Sequence, residues 1–135
     1  MNVAQLAEEW VSAMNARNLE RMASLLTEDA LADEVVEAEP RRGRGSIKEA
    51  YREVFEGYPD CEAEILNRVI GSDQAVVEVR FKGTNTGPFR GTPATHKPID
   101  IRIAYILKVA DGKISHITEY YDLATLLTQQ GMLPR

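Results

Sequence analysis

The run Ile99-Asp-Ile-Arg-Ile-Ala-Tyr-Ile-Leu-Lys-Val109, answered after Asp111-Gly112 by Ile114-Ser-His-Ile-Thr-Glu-Tyr-Tyr121, decides the fold class. In the first run apolar residues recur at every second position, the period of a strand with one buried face. Asp-Gly is a turn former, so the two runs predict an antiparallel hairpin. The same period extends upstream. Cys61 to Ile70 reads as a strand, Gly71-Ser-Asp73 as a turn, and Ala75 to Lys82 as the returning strand. Gly83 to Pro98, with three glycines and three prolines, predicts a long irregular loop.

Before Cys61 the period is helical. Val3, Leu6, Ala7, Trp10, Val11 and Met14 form one apolar face of a first helix. Asn15 to Asn18 break it, and Asn18 is placed to cap a short second helix through Met22, Leu25 and Leu26. Residues 29–40 alternate weakly and predict a short strand. Ser46-Ile-Lys-Glu49 has the form of a capping box opening a helix with Ile47, Ala50, Tyr51, Val54 and Phe55 on one face, ended by Gly57 and Pro59. Asp122 is placed to cap a last helix carrying Leu123, Leu126 and Leu127, closed by Gly131 and Pro134. Helices followed by antiparallel strands predict a single α+β domain over residues 1–135. Its curved antiparallel sheet packs on the N-terminal helices and a short C-terminal helix, with a pocket between the layers.

The totals exclude several function classes. The chain has 135 residues, a net charge of −5 and a pI near 5.1. That charge lacks the footprint a phosphate backbone requires, so no nucleic-acid partner is expected. Arg41, Arg42 and Arg44 read as a solvated loop. Cys61 is the single cysteine, which rules out an internal disulfide and suits a reducing, cytoplasmic location. It reads as a small hydrophobe, not a nucleophile. The N-terminus lacks the form of a signal peptide, and no window approaches the ~20 apolar residues of a membrane span. His96 and His116 show no metal-ligand spacing, so no metal is expected. Neither a nucleophile elbow nor a phosphate loop is present; Gly43-Arg-Gly45 lacks the strand and spacing of the latter.

The chemistry rests on the hairpin register. A two-residue turn pairs Val109 with Ile114 and sets Glu119 beside Ala104. A three-residue loop with Gly112 as a bulge pairs Val109 with Lys113, Tyr105 with Ile117 and Ile103 with Glu119. In the second register Glu119 shares the apolar face with Ile103, Tyr105, Ile117 and Tyr121, because paired residues point to one side. Hydrophobicity alone does not separate the two. On the apolar face, desolvation raises a carboxyl pKa toward neutrality, which suits proton transfer. Tyr105 and Tyr121 can then donate to a developing oxyanion. The competing role for Glu119 is an ion pair with an arginine such as Arg80 or Arg102, or a plain solvent-facing carboxylate. Asp122 reads as a cap, and His116 falls on the opposite face.

Gly83-Thr-Asn-Thr-Gly87, Gly91-Thr-Pro-Ala-Thr95, Val109-Ala-Asp-Gly-Lys-Ile114 and Glu119-Tyr-Tyr-Asp122 with Leu126-Leu-Thr-Gln-Gln-Gly131 resemble the SnoaL-like polyketide cyclase (ester cyclase) family. Tyr58-Pro-Asp60 fits as well. The resemblance spans most of the chain and is strongest over residues 83–131. It implies the cone-shaped, cystatin-like α+β fold shared with nuclear transport factor 2, ketosteroid isomerases, scytalone dehydratase and limonene epoxide hydrolases. Ile117-Thr-Glu-Tyr-Tyr-Asp-Leu123 also looks like the epoxide-hydrolase tail. The resemblance favours the three-residue loop.

In the cyclases an acid three positions before the helix-capping Asp is the general acid/base, and Glu119 holds that position. Tyr105 stands where the cyclases carry a strand His, Asn85 where they carry a loop His, and Ile103 where they carry a Gln. No complete Asp–Arg–Asp set of the epoxide hydrolases is legible. The resemblance therefore implies a proton-transferring small-molecule enzyme with Glu119, Tyr105 and Asn85 as catalytic residues. Trp10, Phe55, Phe81, Ile103, Ile117 and Tyr121 would hold a small apolar carbonyl compound. Neither a cofactor nor a membrane partner is implied, and a homodimer is expected. The alternatives are a non-catalytic binding or dimerisation module and an epoxide-hydrolase-like enzyme.

Overall fold

A computed structural model describes residues 1–133; the expected closure at Pro134 lies outside the described residues. Helix α1, Val3–Asn15, is capped by a reciprocal pair: Asn2 accepts from the Gln5 backbone, and Gln5 accepts from the Asn2 backbone. Its buried face is Leu6, Ala7, Trp10, Val11, Ala13 and Met14. Asn18 caps α2, Leu19–Ser24, as expected. That helix is shorter than its sequence implies. Leu25 is its C-cap and Leu26 opens strand β1, Leu26–Glu34, so both leucines are buried by the helix-to-strand junction. Accordingly the strand expected over residues 29–40 starts earlier and ends at Glu34.

Arg41–Arg42 form a two-residue strand, β2, paired with Leu31 and Ala32. The arginine run is thus not a free loop: Arg41 bonds Glu53, and Arg44 donates to the Leu26 carbonyl. Helix α3, Arg44–Gly57, begins before the expected capping box. Gly43, at φ 88°, is its N-cap with no side-chain bond, which places Ser46 and Glu49 inside the helix. Glu49 binds Arg52 one turn on instead.

Strands β3, Glu62–Ile70, β4, Gln74–Thr84, β5, Pro98–Ala110, and β6, Lys113–Tyr120, follow, and α4, Leu123–Gln129, closes the fold. Asp122 caps α4 through Ala124 and Thr125. The sheet is curved and unclosed, in the order β2-β1-β6-β5-β4-β3. All its pairings are antiparallel except β1 with β6, which is parallel. The inner face of β4 and β5 (Ala75, Val77, Val79, Phe81, Ile99, Ile101, Ile103, Tyr105 and Leu107) packs on α1 and α3 in one core. Burial of that face is the main stabilising term at roughly 25 cal/mol per Å².

The β5–β6 register corrects the expected one. The turn is the two-residue form, with Val109 opposite Ile114, Ala110 opposite Lys113, and positive φ at both Asp111 (54°) and Gly112 (73°). A bulge then shifts the ladder, so Lys108 faces His116, Leu107 faces Ile117 and Tyr105 faces Glu119. The physical reason lies in Ile114 and Ile117. Both are fully buried yet three residues apart, and an unbroken strand would turn one of them outward. The bulge restores Glu119 to the inner face.

Candidate active site

The hollow between the sheet and α3 is a cavity of about 120 Å³. Its walls are largely aromatic and aliphatic: Tyr51, Tyr58, Phe81, Phe89, Ile101 and Ile103 among others. Strand pairing places the polar groups. Glu119 on β6 lies between two register partners, Glu34 on β1 and Tyr105 on β5, and all three line the cavity.

Each carboxylate has its own phenol. Tyr51, from the middle of α3, donates to Glu119 Oε1. Tyr121 donates to Glu34 Oε2 at 2.5 Å. Trp10 lies edge-on to Tyr51, with centroids 5.3 Å apart, and so fixes the phenol from behind. Arg90, from the loop over residues 85–97, donates to Glu34 (3.2 Å), Glu37 (2.8 Å) and Glu53 (2.9 Å).

Burial pushes the Glu119 carboxyl up, and the charge of Glu34 adds to the effect; the Tyr51 hydrogen bond and Arg90 oppose it. The result is a pKa of about 7. Burial, reinforced by Glu119, drives Tyr51 and Tyr105 well above the ordinary phenol range, so both remain neutral donors. Tyr121 is raised likewise, by burial and by Glu34. A carboxyl near 7 beside neutral phenols can hold or release a proton at physiological pH and stabilise charge forming on a bound oxygen.

The residues proposed from sequence separate into two groups. Glu119, Tyr105, Ile103, Ile117, Tyr121 and Phe81 line the cavity. Asn85, Trp10 and Phe55 do not. Asn85 is buried beneath the loop, donating to the carbonyls of Gly57 (3.0 Å) and Gly87 (2.9 Å) and accepting from the Thr95 N–H (2.7 Å). Its bonding capacity is spent on backbone, so it clamps the loop instead of facing a ligand. Trp10 is wholly buried behind Tyr51, and Phe55 packs against the core. Tyr105 reaches the cavity, but its hydroxyl contacts only Met14 Sδ, at 3.8 Å. Neither suggested ion pair forms at Glu119: Arg80 pairs with Asp100, and Arg102 is exposed on the outer face. Sequence reasoning missed Glu34, Arg90 and the functional side of Tyr51. Tyr51 had one signal, a hydroxyl on an otherwise apolar helix face.

The SnoaL-like polyketide cyclase profile matches residues 4–130, nearly the whole chain. The chain belongs to the SnoaL-like polyketide cyclase family. Solved structures agree on the fold. A "Putative SnoaL-like polyketide cyclase" from Jannaschia sp. CCS1 superposes with a TM-score of 0.88 at 20% identity, covering 97% of this chain and 92% of its own. TsrD from Streptomyces laurentii gives 0.84 at 24% identity, with 97% and 96% covered. A protein with a ketosteroid isomerase-like fold from Catenulispora acidiphila gives 0.81 at 18%, with 95% and 93% covered. No curated protein matches the chain. Within this SnoaL-like chain, no described helix is long and apolar enough to cross a membrane, and the described residues hold no cluster of metal-ligating side chains.

Proposed function

We propose that this SnoaL-like protein transfers a proton on a small, largely apolar carbonyl compound, with Glu119 as general acid/base. The observation that carries the reading is a carboxyl held near pH 7 in an apolar cavity, with the Tyr51 phenol bound to it. In its protonated form Glu119 can protonate an enolate carbon or oxygen. Once ionised it can take the proton α to a carbonyl, while a phenol of Tyr51 or Tyr105 supports the oxyanion. The enclosed volume is similar to the ~150 Å³ apolar cavity that accepts benzene, so about one ring fits inside and a larger substrate extends through the mouth.

The test is solvent deuterium incorporation α to the carbonyl of cyclic enones in D₂O, followed by NMR. The protein should exchange the probe at least about a hundredfold faster than Glu119→Gln, the scale of general acid–base catalysis. Equal rates would sink the assignment and favour a module that binds its ligand without chemistry.

One observation favours a hydrolase as the second reading. Glu34, Arg90 and Glu119 form a carboxyl–guanidinium–carboxyl set around the cavity that could activate water against an epoxide. Hydrolysis of styrene oxide, lost in both Glu34→Gln and Glu119→Gln, would support it.

We also propose a homodimer joined through the outer sheet face. There Val76, Ile106 and Thr118 lie side by side, next to Glu78, Ala104 and the exposed Tyr120. Sedimentation as a monomer at high concentration would remove this. A reducing, cytoplasmic setting suits the buried thiol of Cys61, which desolvation makes harder to ionise.

A further inference from the structure

The charges around the cavity are unevenly divided. Glu34, Glu37, Glu39 and Glu119 line it, against the two cations Arg41 and Arg90, while Asp33 pairs in register with Thr118 on the outer face. Both arginines are already engaged, Arg41 by Glu53 and Arg90 by Glu34, Glu37 and Glu53. One of the carboxylates, Glu39, makes no ion pair among the described residues. The cavity thus offers no free cation to an anionic ligand, and with Glu119 protonated it still keeps three carboxylates, Glu34, Glu37 and Glu39, against two guanidiniums.

A second feature points the same way. The wall beside these carboxylates is aromatic, and its rim already holds a cation on a ring face: the Arg90 guanidinium carbon lies 4.7 Å from the Phe89 centroid, with Tyr58 edge-on to that ring at 5.7 Å. Ring faces next to carboxylates are the chemistry that recognises an ammonium group.

We infer that the ligand of this cavity is an apolar molecule bearing a protonated amine, its ring body inside against Tyr51 and Phe81 and its ammonium at the mouth facing Glu37 and Glu39. This rests on the cavity being the ligand site proposed above, and it names the ligand's charge. Carboxylates and phosphates are turned away by the same field. A cation beside a carboxylate at the mouth gains Coulomb attraction, and its desolvation offsets part of that.

The experiment is calorimetric titration at pH 7 with three probes of matched size: phenethylamine, phenethyl alcohol and phenylacetate. Phenethylamine is expected to bind at least about tenfold more tightly than the alcohol, and phenylacetate most weakly. The Glu37→Gln/Glu39→Gln double variant should lose several-fold of the amine preference while its affinity for the alcohol holds. An amine no tighter than the alcohol, or phenylacetate as the tightest probe, overturns the inference and leaves the proton-transfer reading standing. Absence of binding by all three overturns the inference, and the deuterium-exchange test still decides the proton-transfer reading. Retained amine preference in Glu119→Gln, together with lost deuterium exchange, supports both and separates them.

Discussion

Glu34 and Glu119 are register partners on the parallel strands β1 and β6, yet they are held by different phenols. Two carboxylates opening into one apolar cavity repel each other, so the second to ionise does so late. Arg90 bonds to Glu34 and makes no hydrogen bond to Glu119, so Glu119 keeps the rise that burial and its neighbour's charge impose.

Replacing Glu34 with Gln should therefore move the Glu119 carboxyl midpoint downward from about 7. The expected size is about one pH unit or more, from a neighbouring charge at moderate effective dielectric. Arg90 keeps Glu37 and Glu53 as partners, so the loop should stay in place. NMR titration of the Glu119 carboxyl is the measurement. An unmoved midpoint would mean that the two groups do not share a field.

The Tyr51→Phe variant tests the opposite sign. The phenol donates to the ionised carboxylate and lowers its pKa, so its removal should raise the Glu119 midpoint and shift the activity profile to higher pH. Trp10 packs on the ring, not the hydroxyl, so the fold cost should stay near 1 kcal/mol. A profile that moves to lower pH would contradict the hydrogen bond.

Glu119 also ties stability to pH. Its folded pKa, about 7, lies above the ordinary carboxyl value, so the folded state holds the proton longer than the unfolded chain. This favourable contribution is fully present below about pH 4.5 and is lost as pH rises through 7, by up to about 3 kcal/mol. Glu119→Gln should remove that loss, making the variant more stable than the parent at pH 8 and nearly equal at pH 4. Urea unfolding at the two values decides it, and a variant less stable at pH 8 would count against a desolvated carboxyl.

Asn85→Ala should behave as a loop mutation. It removes three bonds to backbone under the loop, at about 1 kcal/mol each. Thermal unfolding should fall accordingly while the Glu119 midpoint stays near 7. A normal melting temperature with lost activity would instead return Asn85 to the ligand. Gly87→Ala attacks the same place more severely, because a Cβ there would sit 2.1 Å from the Glu56 carbonyl oxygen.

The elements of the β half were legible because their signals are local. Alternation in Ile99 to Val109, the Asp-Gly turn and the Asp122 cap each act within a few residues, and each stands in the structure. The placement of Glu119 on the apolar face was legible too, though through a register the chain does not use. A three-residue loop and a two-residue turn with a bulge leave Glu119 with the same parity. Alternation is sensitive to parity and blind to a bulge whose only mark is two isoleucines three apart. The capping box at Ser46 failed for a similar reason: Gly43 could start the helix earlier, and nothing within the motif forbids it.

The sequence by itself determined the layered α+β fold, since periodicity and short-range caps settle the elements, and the inward carboxylate was legible only through the family resemblance. Tertiary structure decided what that carboxylate is. Its pKa depends on Glu34 from β1, Tyr51 from α3 and Arg90 from a loop, residues 85, 68 and 29 positions away along the chain. Electrostatic coupling follows distance through space, and no local pattern brings those four groups together; the parallel β1–β6 pairing and the loop clamped by Asn85 do.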